Sequence, residues 1–228
     1  MAPLKLLFKF PTRGRPLWFV KTLDLYMKML SGKHYCEFMI AMDFDDETMC
    51  NDLMADYLCQ IEPPRDSMTT LSWYWKDHTG KVDAVNSCIS FRDFDIVTVI
   101  SDDIEPTEQG YDDIIATCMT ETFPDLDGII YFDDSRCGAK VVTIPVIGKP
   151  MYRRLGNIVD PAFMAWGDNF STRKFNAMGK IKYFDRVLLK HQWRKYGLDE
   201  TYERAAVYRK RDRATYKQLW AQEIGEQT

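Results

Sequence analysis

The sequence predicts an α/β fold built on a mostly parallel central sheet, and three observations carry that expectation. Apolar runs alternate with amphipathic helical segments from one end of the chain to the other, without repeats or low-complexity linkers; this alternation marks strand–helix–strand units. One run, Val97-Thr98-Val99-Ile100, stops at Ser101-Asp102-Asp103, and Pro106 closes the turn. A strand buried in an α/β sheet reads this way, with charge only at its carboxyl end, which is where open sheets hold ligands. Finally, 228 residues with 46% hydrophobic content can build a full core.

The elements follow in order. Residues 4–10 predict a first strand that ends at Pro11-Thr12-Arg13-Gly14-Arg15-Pro16. Leu17, Phe19, Val20, Leu23, Met27 and Leu30 recur at helical spacing and predict an amphipathic helix over 17–30, with Gly32 placed to stop it. Residues 35–42 predict a second strand running into Asp43-Phe44-Asp45-Asp46-Glu47. A helix over 47–58 takes that acidic cluster near its N-terminus, where negative charge is favoured. Pro63-Pro64 breaks the chain; 69–75 predict a third strand, 81–91 a short helix and 94–100 a fourth strand. Beyond it come a helix over 110–120, strands over 128–132 and 141–146, and helices over 150–157 and 168–178. A strand over 181–189 and a long polar helix over 200–222 complete the pattern.

Composition narrows the function classes. Net charge is −4, but residues 1–169 hold 16 Lys/Arg against 27 Asp/Glu, while residues 170–228 hold 14 against 7. An acidic body with a basic tail argues against a general nucleic-acid binder, and no nucleic-acid partner is expected. Cys36, Cys50, Cys59, Cys88, Cys118 and Cys137 form no C-x-x-C pair. They predict reduced core thiols of a cytoplasmic protein instead of a disulfide frame or a zinc site. His34, His78 and His191 stand without H-x-x-H or H-E-x-x-H spacing. No apolar run approaches 18 residues, so no membrane span is expected. Leu6-Leu7-Phe8, broken at Lys9, makes a poor signal peptide and a good first strand.

If the first four strands are parallel, their carboxyl ends near 10, 42, 75 and 100 open toward one sheet edge. That edge would carry Thr12, Arg13 and Arg15, then Asp43 and Asp45, then Lys76 and Lys81, then Asp102 and Asp103. Arg forks suit phosphate oxygens, and carboxylates suit hydroxyls or ring N–H groups. Two adjacent acids suit a divalent cation on a polyoxygenated ligand such as a nucleotide diphosphate. No G-x-G-x-x-G follows the first strand and no G-x-x-x-x-G-K-[ST] occurs, so neither a Rossmann dinucleotide site nor a P-loop is supported.

Several motifs occur in a telling order: strand-Pro11-Thr12-Arg13-Gly14-Arg15-Pro16-helix, a second strand ending in Asp43, and Gly80-Lys81-Val82-Asp83-Ala84-Val85-Asn86. Ser101-Asp102-Asp103, Trp166-Gly167-Asp168 and a late His191 follow. Together they resemble a nucleotide-sugar glycosyltransferase of the GT-A fold, similar to the inverting family 2 enzymes. The resemblance covers about residues 4–193, within one GT-A-like (Rossmann-like) domain of 1–195, and leaves 196–228 as a C-terminal helical extension packed on that domain.

The resemblance implies a metal-dependent, inverting enzyme that moves a sugar from a nucleotide-sugar donor to a hydroxyl of an unidentified glycan or small-molecule acceptor. It implies Mn²⁺ or Mg²⁺ as cofactor. Pro11, Thr12, Arg13 and Arg15 would line the nucleotide pocket, Asp43 would pair with the base, and Lys81 and Asn86 would flank the nucleotide. Asp102 would face the ribose and Asp103 the metal on the diphosphate, with His191 as a further metal ligand. Asp168 would be the general base that deprotonates the acceptor, although Gly167 stands where many relatives carry Glu. Residues 148–156 resemble the acceptor-side segment of relatives.

Plainer roles compete. Asp168 precedes a helix and suits an N-cap; His191 beside Trp193 suits a satisfied core histidine; Asp43, Asp45 and Asp46 suit a solvated loop. The tail places Arg204, Arg209, Lys210, Arg211, Arg213 and Lys217 among Tyr202, Tyr208 and Tyr216, as in a solvated helix packed through its tyrosines. Two other functions fit the same acids. A nucleotidyltransferase shares the sheet but usually shows a Gly-rich loop after the first strand, and a non-catalytic relative would bind a nucleotide without turnover.

Overall fold

Strand β1 (Lys5–Pro11) runs through the interior of a seven-stranded sheet and is buried along most of its length. Its period of two sends Leu6, Phe8 and Phe10 into one core and Leu7 into a second core on the opposite face. The first core is filled by helices α1 (Pro16–Lys28), α2 (Asp52–Gln60) and α4 (Tyr111–Thr122) through Phe19, Leu23, Met54, Leu58, Ile115 and Met119. The second is filled by α3 (Lys81–Asn86), α5 (Lys149–Leu155) and α6 (Asp168–Ala177) through Val85, Met151 and Phe175. A sheet covered on both faces needs apolar residues at successive positions, hence the continuous runs in the sequence. The computed structural model describes residues 2–61, 68–192 and 200–226.

The remaining strands are β2 (Tyr35–Asp43), β3 (Thr69–Lys76), β4 (Ile96–Val99), β5 (Ile104–Pro106), β6 (Ile129–Asp133), β7 (Val146–Gly148), β8 (Ile181–Val187) and β9 (Leu189–His191). The sheet order is β3-β2-β1-β4-β7-β6-β8, and β5 with β9 forms a separate antiparallel ribbon. Strand β1 is parallel to both β2 and β4, and β2 is parallel to β3. The four carboxyl ends therefore do open at one edge. Strand β7 is antiparallel to both neighbours, and β6 is parallel to β8.

Four expectations shift. Helix α2 begins at Asp52 and not at 47, because Asp46 folds residues 44–50 into a turn: its carboxylate accepts Thr48 N at 3.1 Å and Gly14 N at 2.7 Å. Asn51 then caps the helix by accepting Met54 N at 2.9 Å. The strand expected over 141–146 is instead β7, since Pro145 has no N–H for a ladder and Val142 N goes to Thr172 Oγ1 at 2.9 Å. The run 181–189 divides at Leu188 into β8 and β9, which carries the chain from the sheet to the ribbon. Lys9 lies fully buried within the first strand, as the 4–10 bounds imply. The six cysteines are free, but only Cys36 is buried and Cys59 is exposed, so the core reading holds for Cys36 alone.

Helix α7 (Glu200–Glu226) is anchored by one buried acid. The Asp212 carboxylate accepts the backbone N–H groups of Met164, Ala165 and Trp166 at 3.0, 2.9 and 2.9 Å. Trp166 Nε1 returns a bond to Ala205 O at 2.8 Å, and Tyr216 packs edge-on against Phe170. The helix thereby braces the segment that leads into α6. Among the described residues no helix is long and apolar enough to cross a membrane.

Candidate functional site

The carboxyl edge of β1 and β4 gathers the first part of the site. Beyond β4, Ile100 N still donates to Lys9 O at 2.9 Å, and the chain then turns through Asp102 and Asp103. Asp102 is buried: Oδ1 accepts Arg15 Nη1 at 2.9 Å and Oδ2 accepts Thr12 Oγ1 at 3.1 Å. These bonds tie the acidic turn to the Pro11–Pro16 turn after β1. Burial pushes the Asp102 carboxyl up to about 6, with Arg15 pulling against that and the Asp103 charge adding to it.

Asp103 faces the ribbon. Ser101 Oγ donates to its Oδ1, and Tyr202 OH of α7 donates to Oδ2 at 3.2 Å. His191 Nε2 lies 3.5 Å from the same Oδ2, held there because His191 ends β9 opposite Ile104. Burial would raise the Asp103 carboxyl, but the His191 contact and the Lys81 charge hold it well below the usual range. Burial would likewise lower the imidazole; Asp103 and Asp134 overcome it and lift His191 to about 9. Asp134, just past β6, is fixed by N–H bonds from Arg136 and Cys137 at 2.9 and 2.6 Å and by Thr143 Oγ1 at 2.8 Å. Among the described residues His191 Nδ1 is buried without a hydrogen-bond partner, 3.9 Å from Asp134 Oδ2.

Asp168 is the first residue of α6, and its side chain caps nothing: Gly167 holds the cap position without a side-chain bond. Among the described residues its carboxylate accepts no hydrogen bond. Burial raises its pKa, opposed by the charges of Lys81, His191 and Arg136, so those groups lie within electrostatic reach of it. Two close approaches set this geometry. A Cβ on Gly80 would sit 2.9 Å from Met164 O, and Val82 N donates to that same oxygen at 3.0 Å, which pins the start of α3 beside the 163–168 segment. A Cβ on Gly167 would meet Val159 Cγ1 at 2.5 Å, so any larger residue there requires Val159 to shift.

At the end of β2, Asp43 Oδ1 accepts His78 Nδ1 at 2.6 Å and Oδ2 accepts Arg13 Nη1 at 2.7 Å; Arg13 also pairs with Asp45. Burial would raise this carboxyl, but His78 and Arg13 hold it below its ordinary value. Behind His78, Nε2 lies 3.2 Å from Ser87 Oγ, which is 2.6 Å from Tyr74 OH. Tyr74 OH also accepts from Lys9 Nζ, which donates to Ser87 O at 3.0 Å as well. Burial drops the pKa of Lys9 to about 7.

Most of the expected residues thus meet at one edge: Thr12, Arg15 and Asp102 in one hydrogen-bonded group with Asp103 3.9 Å from Arg15 Nη1, Arg13 and Asp43 in a second, and Asp103 against His191. Pro11 ends β1 beside them, paired with Ala41. Asn86 departs from expectation: its side chain is spent on the 158–159 backbone, donating to Val159 O at 2.7 Å and accepting Ile158 N at 3.0 Å. The 148–156 segment starts at the opposite edge, where Gly148 pairs with Ile96 and Lys149 N donates to Asp95 O at 2.8 Å. Sequence reasoning passed over His78, Ser87, Asp134 and Tyr202. A lysine between Phe8 and Phe10 was the available signal that a buried polar network lay nearby.

Among the described residues no group of three or more His, Cys, Asp or Glu is arranged to hold a metal ion. Among the described residues the donors here are one carboxylate, Asp103, and the adjacent imidazole of His191, which must give up its proton to bind a metal. Mg²⁺-type sites built on one or two side chains and completed by substrate phosphates need no more than that, so the residues fit a cation that arrives with a diphosphate.

No protein-family model matches the chain, and no curated protein matches its sequence. Solved structures share its fold. The mannosyltransferase PcManGT from Pyrobaculum calidifontis, in complex with GDP-Man and Mn²⁺, superposes with a TM-score of 0.65 at 14% identity over 86% of this chain and 59% of that one. The 1–349 fragment of S. aureus TarS, in complex with UDP, gives 0.59 at 11% identity over 82% and 60%. A putative glucose-1-phosphate thymidylyltransferase from Bacillus anthracis, in complex with a sucrose, gives 0.53 at 10% identity over 90% and 95%. The chain therefore has the α/β fold of GT-A-type glycosyltransferases, and it spans about three-fifths of the length of the first two structures.

Proposed function

We propose that this chain is a glycosyltransferase that uses a divalent metal and moves a sugar, with inversion, from a nucleotide-diphosphate donor to an acceptor hydroxyl. One observation carries the proposal. At the ligand edge of a GT-A-type sheet, His191, itself beside Asp103, lies within electrostatic reach of Asp168, a carboxylate with raised pKa and no hydrogen-bond partner among the described residues. A carboxylate left free of partners is available to take a proton. Two structural neighbours were solved with GDP-Man and Mn²⁺ and with UDP, which supports a nucleoside diphosphate at this edge.

The chemistry assigns one task to each group. Arg15 and Thr12 hold the buried Asp102, whose backbone and carboxyl shape the ribose side of the pocket. Asp43 meets the nucleobase, Arg13 joins it at the pocket mouth, and Lys81 sets positive charge beside the diphosphate. Asp103 and His191 would hold Mn²⁺ or Mg²⁺. Such an ion, when bound, neutralises charge on the departing diphosphate. Asp168 accepts the proton of the attacking acceptor hydroxyl; its raised pKa makes it a better proton acceptor than an ordinary aspartate. A single in-line attack with one carboxylate base inverts the sugar centre, unlike the carboxyl pair of a retaining glycosidase.

The test is release of nucleoside diphosphate from a panel of UDP-, GDP- and TDP-sugars with Mn²⁺. Release from one donor, abolished in Asp168→Asn while that variant still binds the diphosphate, is the expected result. The thymidylyltransferase neighbour raises a second reading, nucleotidyl transfer, in which pyrophosphate leaves a nucleoside triphosphate attacked by a sugar phosphate. The turn after β1 here is Pro-Thr-Arg-Gly-Arg-Pro, without the Gly-rich loop usual in such enzymes. Pyrophosphate release from a triphosphate, without diphosphate release from any nucleotide sugar, would favour that second reading.

A further inference from the structure

The Asp43 carboxylate has two unlike oxygens. Oδ1 receives His78 Nδ1 at 2.6 Å, and the His78 side chain is 1% exposed. Oδ2 receives Arg13, whose side chain is 20% exposed and shared with the open Asp45. His78 is itself backed by Ser87, Tyr74 and Lys9, so its ring cannot turn without breaking a buried chain of bonds. Ser87 Oγ is also tied to Ala84 O at 3.0 Å within the turn that ends α3. The inner oxygen is therefore held by a buried partner, and the outer one by a partly exposed one.

We propose that His78 is a positioning residue for the nucleobase: it locks Asp43 through Oδ1 and leaves Oδ2 as the oxygen offered to a ligand. The proposal rests on the reading of Asp43 as the base-facing acid. One presented oxygen suits a base with a single ring N–H between two carbonyls, the imide of uracil or thymine. Guanine offers a ring N–H and an amino group side by side, and their natural partner is a carboxylate with both oxygens free. His78 already takes one lone pair of Oδ1 and competes with a two-point contact there, whereas Oδ2 carries only the more exposed Arg13. The braced histidine thus turns a general acid site into one that favours a pyrimidine imide.

Calorimetric titration of the 228-residue chain with UDP, TDP and GDP in Mn²⁺ tests this. The wild type binds UDP or TDP more tightly than GDP. His78→Ala weakens UDP binding about tenfold, the scale of losing one bond to a charged group. His78→Asn places an amide N–H near the position of Nδ1 and recovers most of the affinity; His78→Gln reaches toward Ser87 instead and does not. Equal losses in the Asn and Gln variants would reduce His78 to a packing role and overturn the proposal. This pair keeps the test sound if His78→Ala does not fold. Unchanged UDP affinity in His78→Ala, with binding lost in Asp43→Ala, would also overturn it while sparing the base-site reading. Unchanged binding in Asp43→Ala would remove that reading and this one with it. A wild type that prefers GDP would refute the single-oxygen account.

Discussion

Replacing Lys9 with Met probes a cation placed where the fold least tolerates one. Lys9 is fully buried in β1, with Nζ bonded to Tyr74 OH and, at 3.0 Å, to Ser87 O. Burial takes its pKa from 10.5 to about 7, a gap worth about 5 kcal/mol at most. Below pH 7 the lysine is charged in both states, and the folded chain bears the whole cost. Between about pH 7 and 10.5 the unfolded chain holds a proton that the folded chain has shed, so stability rises with pH; above that window both forms are neutral. Met removes the charge and leaves Tyr74 OH its bonds to Ser87 Oγ at 2.6 Å and Ser87 O at 3.2 Å. Allowing for local relaxation, Lys9→Met gains about 2–5 kcal/mol at pH 6, or about 5–15 °C in Tm for a chain of this size. Thermal melts at pH 6 and 9.5 read both the gain and its decline. A lower Tm at pH 6, or a difference that does not shrink by pH 9.5, would show that Lys9 is stabilised as a cation and refute the argument.

Further outcomes follow from the site and its support. Asp168→Asn lowers kcat by about 10²–10⁴ with donor affinity kept, read by diphosphate release and calorimetry. Asp103→Asn makes diphosphate binding indifferent to Mn²⁺, checked by titration with and without EDTA, because it removes the carboxylate beside His191 Nε2. Asp212→Ala strips three backbone N–H groups of their buried acceptor and destabilises the fold by about 3 kcal/mol, a Tm fall of about 6–12 °C, with kcat reduced because Trp166 leads directly into Asp168.

The sheet was legible because its strands are buried on both faces and read as unbroken apolar runs, and because the acids and arginines fall where those runs end. That sufficed to put Thr12, Arg15, Asp102 and Asp103 at one edge. Boundaries failed where a side chain overrode local preference: Asp46 holds residues 44–50 out of α2, and Pro145 displaces a strand into β7. Asn86 shows the limit for polar residues, since nothing in the sequence distinguishes an amide that pins residues 158–159 from one that meets a ligand. His78 and Ser87 were silent for the same reason. Their roles come from the parallel register that sets Asp43 opposite Lys76, two residues before His78. Tyr202 reaches Asp103 across 99 positions, a contact that helical periodicity alone does not announce.

Binding of a nucleoside diphosphate at the β1–β4 edge is the claim from which the rest follows. A thermal-shift panel of UDP, GDP, TDP, CDP and ADP, each with Mn²⁺ and with EDTA, tests it most directly, since a ligand that binds only the folded chain raises Tm in step with its affinity. The account predicts a rise with UDP or TDP that disappears in EDTA and in Asp103→Asn. No rise with any diphosphate in Mn²⁺, under conditions where the protein is folded, would contradict it.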